Sequence, residues 1–525
     1  MSAEATRWRD AWVAFANRRK AWAYLQDQLP TTHPIVADIV DLEAAKLNFD
    51  GITYAKGASV LRQLVAWVGR EHFEEGLRRY FAKHAWGNTE LSDLLAELEA
   101  TSGRDLRAWS RLWLETAGVT TLRPELEVDS DGRITSLAVL QEAPPQHPTL
   151  RPHRLAIGCY DLVDGVMTRT HQVELDVDDA RTEVPELVGR PRPDLLLLND
   201  GDLAYAKVRL DDESMATAVR HLDAFTESLP RTLIWGAAWD MTRDGELPAR
   251  GYVDLVLNNI ASETDSSVVL VLLRQLLTTV RLFVAPEHRD AVAADVASRL
   301  HDLAVAAEAG SDLQLQLVKA FAAYAVTDRQ LDGVAALLSG DDTLPGLAVD
   351  TDLRWELLTS LVAGGRADSG DIDRELERDD TAAGRRAAAS ARAARPSVEA
   401  KREAWAAVVE ADDLPNAVQS SVIAGFGRVH DTSLLEPFVE PYFAAIDRVW
   451  ATRTNEMAQQ IVVGLYPTLL ADQRTVERTD EYLAALDAGV SGESDGGTSG
   501  LRRLTLENRD GLVRAIRAQE RDRAR

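Results

Sequence analysis

The chain has 525 residues and carries 58 Lys and Arg against 84 Asp and Glu, a formal charge of −26. That length exceeds what one hydrophobic core organises and implies several domains of about 100–200 residues each, while the acidic balance excludes a surface that attracts nucleic acid or anionic lipid over most of its area. A hydrophobic fraction of 46% with 12 Trp excludes a disordered chain, and a single cysteine, Cys159, excludes an intrachain disulfide framework and a multi-cysteine zinc site.

The first segment, "MSAEATRWRDAWVAFANRRKAWAYL", interleaves Trp and Arg at helical spacing and has neither a continuous apolar stretch nor a small-residue cleavage site. No export signal is expected, and with the lone cysteine this points to a reducing cytoplasm. Apolar residues recur at three and four through "TRWRDAWVAFANRRKAWAYLQDQL" and "REHFEEGLRRYFAKHA"; "NTELSDLLAELEATSG" opens on a capping-box pattern and Gly103 follows as a stop. Residues 1–120 therefore read as helix packed on helix.

Over residues 121–209 the pattern changes to short runs such as "TLRPELEVDSDGRITSLAVLQEA" and "PDLLLLNDGDLAYAKVRL", with turn residues in "DSDG", "VDG" and "NDGD". Turns at that spacing predict a small antiparallel β-sandwich. Residues 210–525 return to Ala- and Leu-rich amphipathic segments separated by "GDDTLPG", "AGGRADSGD" and "EADDLP", which predicts paired helices stacked into an α-solenoid. "VSGESDGGTSG" reads as a flexible loop. The longest apolar runs, such as "SSVVLVLLRQLL", read as too short to span a bilayer, so no membrane partner is expected.

Catalytic constellations are mostly missing. The sequence contains no H-E-x-x-H, no two histidines at i and i+4, no P-loop and no G-x-G-x-x-G. His147 and His153, in "HPTLRPH", are separated by prolines and are expected on a loop without metal. One stretch stands out: "NFDGITYAKGASVLRQL", Asn48 to Leu64, sets Tyr54 at the mouth of an amphipathic helix after a glycine turn. Thr53 is the expected cap; Ala58, Leu61, Leu64, Val65 and Val68 form the expected apolar face, and Gly57 and Ala58 leave room for a close backbone. Two readings of Tyr54 stay open on the residues alone: a half-buried ring whose hydroxyl bonds to backbone, or a hydroxyl presented to a ligand.

The same stretch closely resembles the segment of aminopeptidase N type zinc metallo-aminopeptidases, the gluzincin family, in which Y-x-K-G-A carries the catalytic tyrosine. The resemblance runs upstream through "KAWAYLQDQLPTTHPIV", downstream through "HFEEGLRRYFAKHAWGNTELSDLLAELEATSGRDLRAWSRLWLETAG", and on to "RTLIWGAAWDMTRDGEL". It implies a mainly α fold with a small β-sandwich: the helical remainder of a thermolysin-like catalytic domain at 1–120, the sandwich at 121–209 and the solenoid-like domain at 210–525. It also implies removal of N-terminal amino acids from peptides, with Tyr54 as the catalytic residue donating a hydrogen bond to the oxyanion and His33 of "TTHPIV" as a loop residue beside the cleft.

The zinc-binding H-E-x-x-H and the third glutamate that precede the tyrosine in that family are not in this sequence. Zinc is thus the cofactor of the complete family enzyme and is not expected on this chain. The main expectation is the C-terminal portion of an aminopeptidase, inactive alone, taking peptide substrates only when the missing half is supplied and exposing an apolar face that promotes association. The competing expectation is a non-catalytic helical-repeat scaffold that binds partners on a concave surface.

Overall fold

The computed structural model describes residues 6–8, 10–37, 39, 48–489 and 499–525. Most of the loop "VSGESDGGTSG" lies outside them. The chain is mostly helical with two small sheets and divides into two compact units, Met1–Met241 and Thr242–Arg525.

Unit 1 begins with helical segments Ala11–Ala14, Phe15–Lys20 and Ala21–Asp27, followed by Ile52–Lys56 running into Gly57–Val68, then Arg70–Lys83, Leu91–Ser102 and Leu106–Leu114. The start of Leu91–Ser102 is held by a reciprocal cap between Glu90 and Asp93, and Gly103 ends it at φ 72°, a left-handed conformation that glycine adopts without strain. Leu98, Leu106, Trp109 and Trp113 meet Val60, Leu64 and Val68 in one buried cluster.

Seven strands follow: β1 (Thr121–Val128), β2 (Ile134–Glu142), β3 (His153–Val163), β4 (Val166–Val177), β5 (Arg181–Glu183), β6 (Leu195–Leu198) and β7 (Lys207–Val208). They form sheets ordered β5-β2-β1-β7 and β4-β3-β6. Leu122, Leu137 and Val139 of the first share a buried cluster with Leu155, Ile157 and Leu196 of the second, as alternating inward residues require.

The Tyr54 helix departs in part from the expected face: Leu64 and Val68 are buried as expected, and Ala58 and Leu61 are not. Leu61 is 57% exposed and Ala58 is exposed, while Ile52, Ala55, Lys56, Ser59, Val60, Gln63, Leu64 and Val68 point inward. Ile52–Lys56 is a π-helical turn, and its wider winding rotates the register of everything after it. The buried polar side chains are paired: Ser59 Oγ donates to Ala55 O at 2.8 Å, and Gln63 Oε1 accepts from Tyr205 N at 3.0 Å.

Lys56 anchors this helix. Its ammonium lies 2.9 Å from Asp27 Oδ2, both side chains fully buried, and donates to Gly118 O at 3.1 Å. Asp27 also accepts from Thr32 Oγ1 at 2.7 Å, Gly118 N at 3.1 Å and Tyr205 OH at 3.2 Å. Burial pushes the Lys56 ammonium down and the Asp27 carboxylate opposes that shift. The pair ties the first helix, the Tyr54 helix and the chain entering β1 to one another.

Unit 2 is helical throughout its described residues. Asp350, Asp368, Thr381 and Ser397 each accept the free amides at the start of a helix, so part of the acidic excess has a local capping use. Alternate helices pack side by side: Asp312–Tyr324 on Thr351–Ala363, that on Ala382–Ala394, then Asn416–Phe426, Asn455–Gly464 and Ser499–Arg523.

The stack does not stay open like a simple solenoid, because its last helix returns to its first elements. Buried Asp522 accepts from Arg250 N at 2.9 Å, Arg250 Nε at 3.2 Å and Ala285 N at 3.1 Å, and Gln519 Nε2 donates to Leu282 O at 2.8 Å. The apolar run that looked too short for a bilayer is longer than it reads: Ser266–Thr278 continues through the π turn Thr279–Phe283, giving 18 residues of mean hydropathy 1.5, long and apolar enough by length and composition to cross one. Here its Val268, Leu272 and Leu276 side are buried within unit 2.

Two stability outcomes follow from these anchors. Lys56→Met strands a buried carboxylate and is expected to cost about 3–5 kcal/mol in urea unfolding, with Lys56→Met/Asp27→Leu recovering part of it; a cost under about 1 kcal/mol would remove the pair from this role. Asp522→Ala is expected to speed amide exchange in Ala249–Asn259 and Ser499–Arg523 more than in Asp328–Ser339; uniform acceleration would show that the ring has no local closure.

Candidate functional site around Tyr54

Tyr54 sits in the π-helical turn Ile52–Lys56 and is 50% exposed. Its amide donates to Asp50 O at 3.1 Å. Phe49, itself 71% exposed, meets the Tyr54 ring edge-on, with centroids 4.7 Å apart and planes at 70°, which limits ring rotation without covering the hydroxyl. Among the described residues nothing accepts from or donates to that hydroxyl. The reading in which Tyr54 bonds to backbone is therefore not the arrangement seen.

Asp50 caps the turn, not Thr53. Asp50 Oδ1 accepts from Ile52 N at 2.9 Å and Thr53 N at 3.1 Å, whereas Thr53 Oγ1 donates to Asn48 O at 2.6 Å. The reason is geometric: a carboxylate two residues ahead of the helix reaches its first free amides, and a hydroxyl already inside the turn does not. The signal was present in "NFDGIT" as an Asp before the helix start. Gly51 is required here, since a Cβ would stand 2.7 Å from Gln26 Oε1 and 2.9 Å from the Trp22 ring. Gly57 is not, because a Cβ there meets nothing closer than 3.9 Å.

His33 completes the turn. Its Nδ1 lies 2.8 Å from Pro34 O, which can only accept, and its Nε2 lies 2.9 Å from Asp50 Oδ2. Both ring nitrogens then donate, which defines the imidazolium and makes His33–Asp50 an ion pair. For Asp50, burial pushes the carboxyl up, but hydrogen bonds from His33 and from the Thr53 and Ile52 amides outweigh it and hold it below its ordinary 3.8. His33 thus does orient backbone beside Tyr54, through Asp50.

The other histidines singled out lie elsewhere. His153 is not on a loop: it opens β3 fully buried, 3.1 Å from Thr120 Oγ1 and 3.3 Å from Gln63 Oε1. Burial first, then Arg151 and Lys20, push it down to about 3, so it stays neutral. His147 lies in the turn after β2, with its Cβ close to Gly118. Among the described residues no three His, Cys, Asp or Glu side chains converge on a possible metal position. The Tyr54 turn can offer a preorganised hydrogen-bond donor.

Two family models match the chain: the peptidase family M1 domain over residues 1–113 and the ERAP1-like C-terminal domain over residues 195–513. Aminopeptidase N of Streptomyces lividans is 54% identical over 530 residues, covering 100% of this chain and 61% of that protein. Tricorn protease-interacting factor F2 of Thermoplasma volcanium is 29% identical over 273 residues, 51% of this chain and 31% of its own, and glutamyl aminopeptidase of Bos taurus is 35% identical over 127 residues, 24% and 13% respectively. The chain thus spans about three-fifths of the length of its Streptomyces relative. With M1 sequence around Tyr54 and more than half the chain matching the C-terminal domain of such enzymes, this chain belongs to the M1 aminopeptidase family.

Proposed function

We propose that this chain forms the tyrosine-bearing C-terminal portion of an aminopeptidase N type enzyme that removes N-terminal residues from peptides. The observation that carries the reading is Tyr54 itself: a half-exposed hydroxyl without a protein partner among the described residues, on a turn whose other polar groups are tied down by Asp50 and His33. Such a donor suits an oxygen that gains negative charge as a peptide carbonyl becomes tetrahedral, because the position is set before the charge develops. Lys56, two residues on, acts beneath the site by fixing the helix on Asp27.

Zinc is general to the family and supplies carbonyl polarisation and an activated water. The described residues of this chain do not fit it, so no residue here is assigned to the metal and none to the general base. Turnover accordingly needs the residues of the longer relatives that this chain does not cover.

The chain alone is expected to leave an aminoacyl-naphthylamide intact, and to support turnover when mixed with the portion of the Streptomyces lividans protein that it does not cover. In that mixture Tyr54→Phe is expected to lower kcat by about 10²–10³-fold with KM nearly unchanged, since the lost hydrogen bond forms mainly in the transition state. Unaltered turnover would remove Tyr54 from catalysis.

The His33–Asp50 pair sets a pH dependence. Asp50 titrates lower folded than unfolded, so its stabilisation is present above the ordinary aspartate value of 3.8 and is lost as pH falls through the folded value. Between pH 5 and about pH 3, the native chain is expected to lose more stability in urea than Asp50→Asn; parallel losses would show that the pair contributes nothing.

A further inference from the structure

Unit 2 holds a cavity of about 790 Å³ walled by Arg281, Arg289, Arg428, His430 and Tyr324. Arginines on a cavity wall are normally neutralised by carboxylates, and here they are largely not. Arg281 donates to Gly427 O at 2.5 Å and Arg289 to Val284 O at 3.2 Å, both carbonyls, and neither has a carboxylate within ion-pair distance among the described residues. Among the described residues, the carboxylate within ion-pair distance of Arg428 is that of Glu356, at 3.7 Å. Of the two acids on the wall, Asp431 accepts from Ser433 N at 2.9 Å as a helix cap, and Asp290 is exposed at the rim.

Two buried polar atoms on the same cavity wall have no partner among the described residues. They are the Tyr324 hydroxyl, on a residue 4% exposed, and Arg289 Nε. An unbonded buried donor costs free energy, and two of them on one basic wall are satisfied together by a group that only accepts. The positive field extends beyond the cavity: the Lys401 ammonium, held by Ala393 O at 2.7 Å and Gly425 O at 3.3 Å, is pushed down to about 7 by burial first and then by Arg281 and Arg395.

We infer that this cavity is a binding site for a small multiply charged oxyanion of the phosphate class, gripped by Arg281, Arg289 and Arg428 with the Tyr324 hydroxyl as a neutral donor. The class follows from the donors. Guanidinium forks and a neutral hydroxyl line the same cavity, donors that match an anion with several equivalent oxygens. All the residues lining the site belong to unit 2.

The test is calorimetric titration of the full chain with inorganic phosphate in low-chloride buffer. Saturable binding is expected, weakened about tenfold or more by Arg281→Met or Arg428→Met and about three- to tenfold by Tyr324→Phe, the last a change that keeps the ring and its packing. Arg385→Met, which removes an exposed arginine paired with Asp380, is expected to bind as the native chain does. No saturable binding up to about 10 mM phosphate, or equal binding by native chain and Tyr324→Phe, would overturn the assignment.

Discussion

The contact between Lys56 and Asp27 is what the Tyr54 region depends on. A charged pair with no solvent access is tolerated only when each partner's remaining donors and acceptors are also met, and here Thr32, Tyr205 and both backbone groups of Gly118 meet them. Every one of those partners comes from a different stretch of unit 1. Satisfying the pair therefore assembles the first helix, the Tyr54 helix and the approach to β1 around one point, and fixes how far the Tyr54 turn stands from its surroundings.

Around that anchor the Tyr54 turn shows a division of labour among neighbours in sequence. Ile52, Ala55 and Lys56 face inward, Tyr54 and Phe49 face outward, and Asp50 lies beneath them holding the amides. Helical winding places residues three and four apart on one face and residues two apart on nearly opposite ones, so exposed Tyr54 and buried Lys56 stand two residues apart in the same turn. His33 adds a charged hydrogen bond to Asp50 from a separate loop, so the outward position of Tyr54 is set from two directions.

Unit 2 uses buried charge differently. Asp522 is an acceptor surrounded by donors, and it closes the helical stack by joining its last helix to Arg250 and Ala285. Arg281 and Arg289 are donors directed at carbonyl oxygens, with no carboxylate within ion-pair distance among the described residues. The first arrangement is complete within the chain and stabilises the stack. The second leaves net positive charge on a cavity wall, a feature that packing alone does not require.

Local patterns were enough to reveal the helices of the first 120 residues, the change to short strands near Thr121 and the return to helices after Val208, because each depends on periodicity or turn residues contained within one segment, whereas they left the setting of Tyr54 open. The cap at Asp50 was equally local, and was missed only because Thr53 has a capping side chain too. What no local pattern could decide was the inward face of the Tyr54 helix, the burial of His153 and Lys56, the return of Asp522 to Arg250 and the gathering of Arg281, Arg289 and Arg428 on one wall. Each depends on partners far apart in the chain, Gln63 with Tyr205 or Asp27 with Gly118, and a polar residue's burial is decided by whether such a partner arrives to complete its hydrogen bonds, which only the tertiary structure supplies.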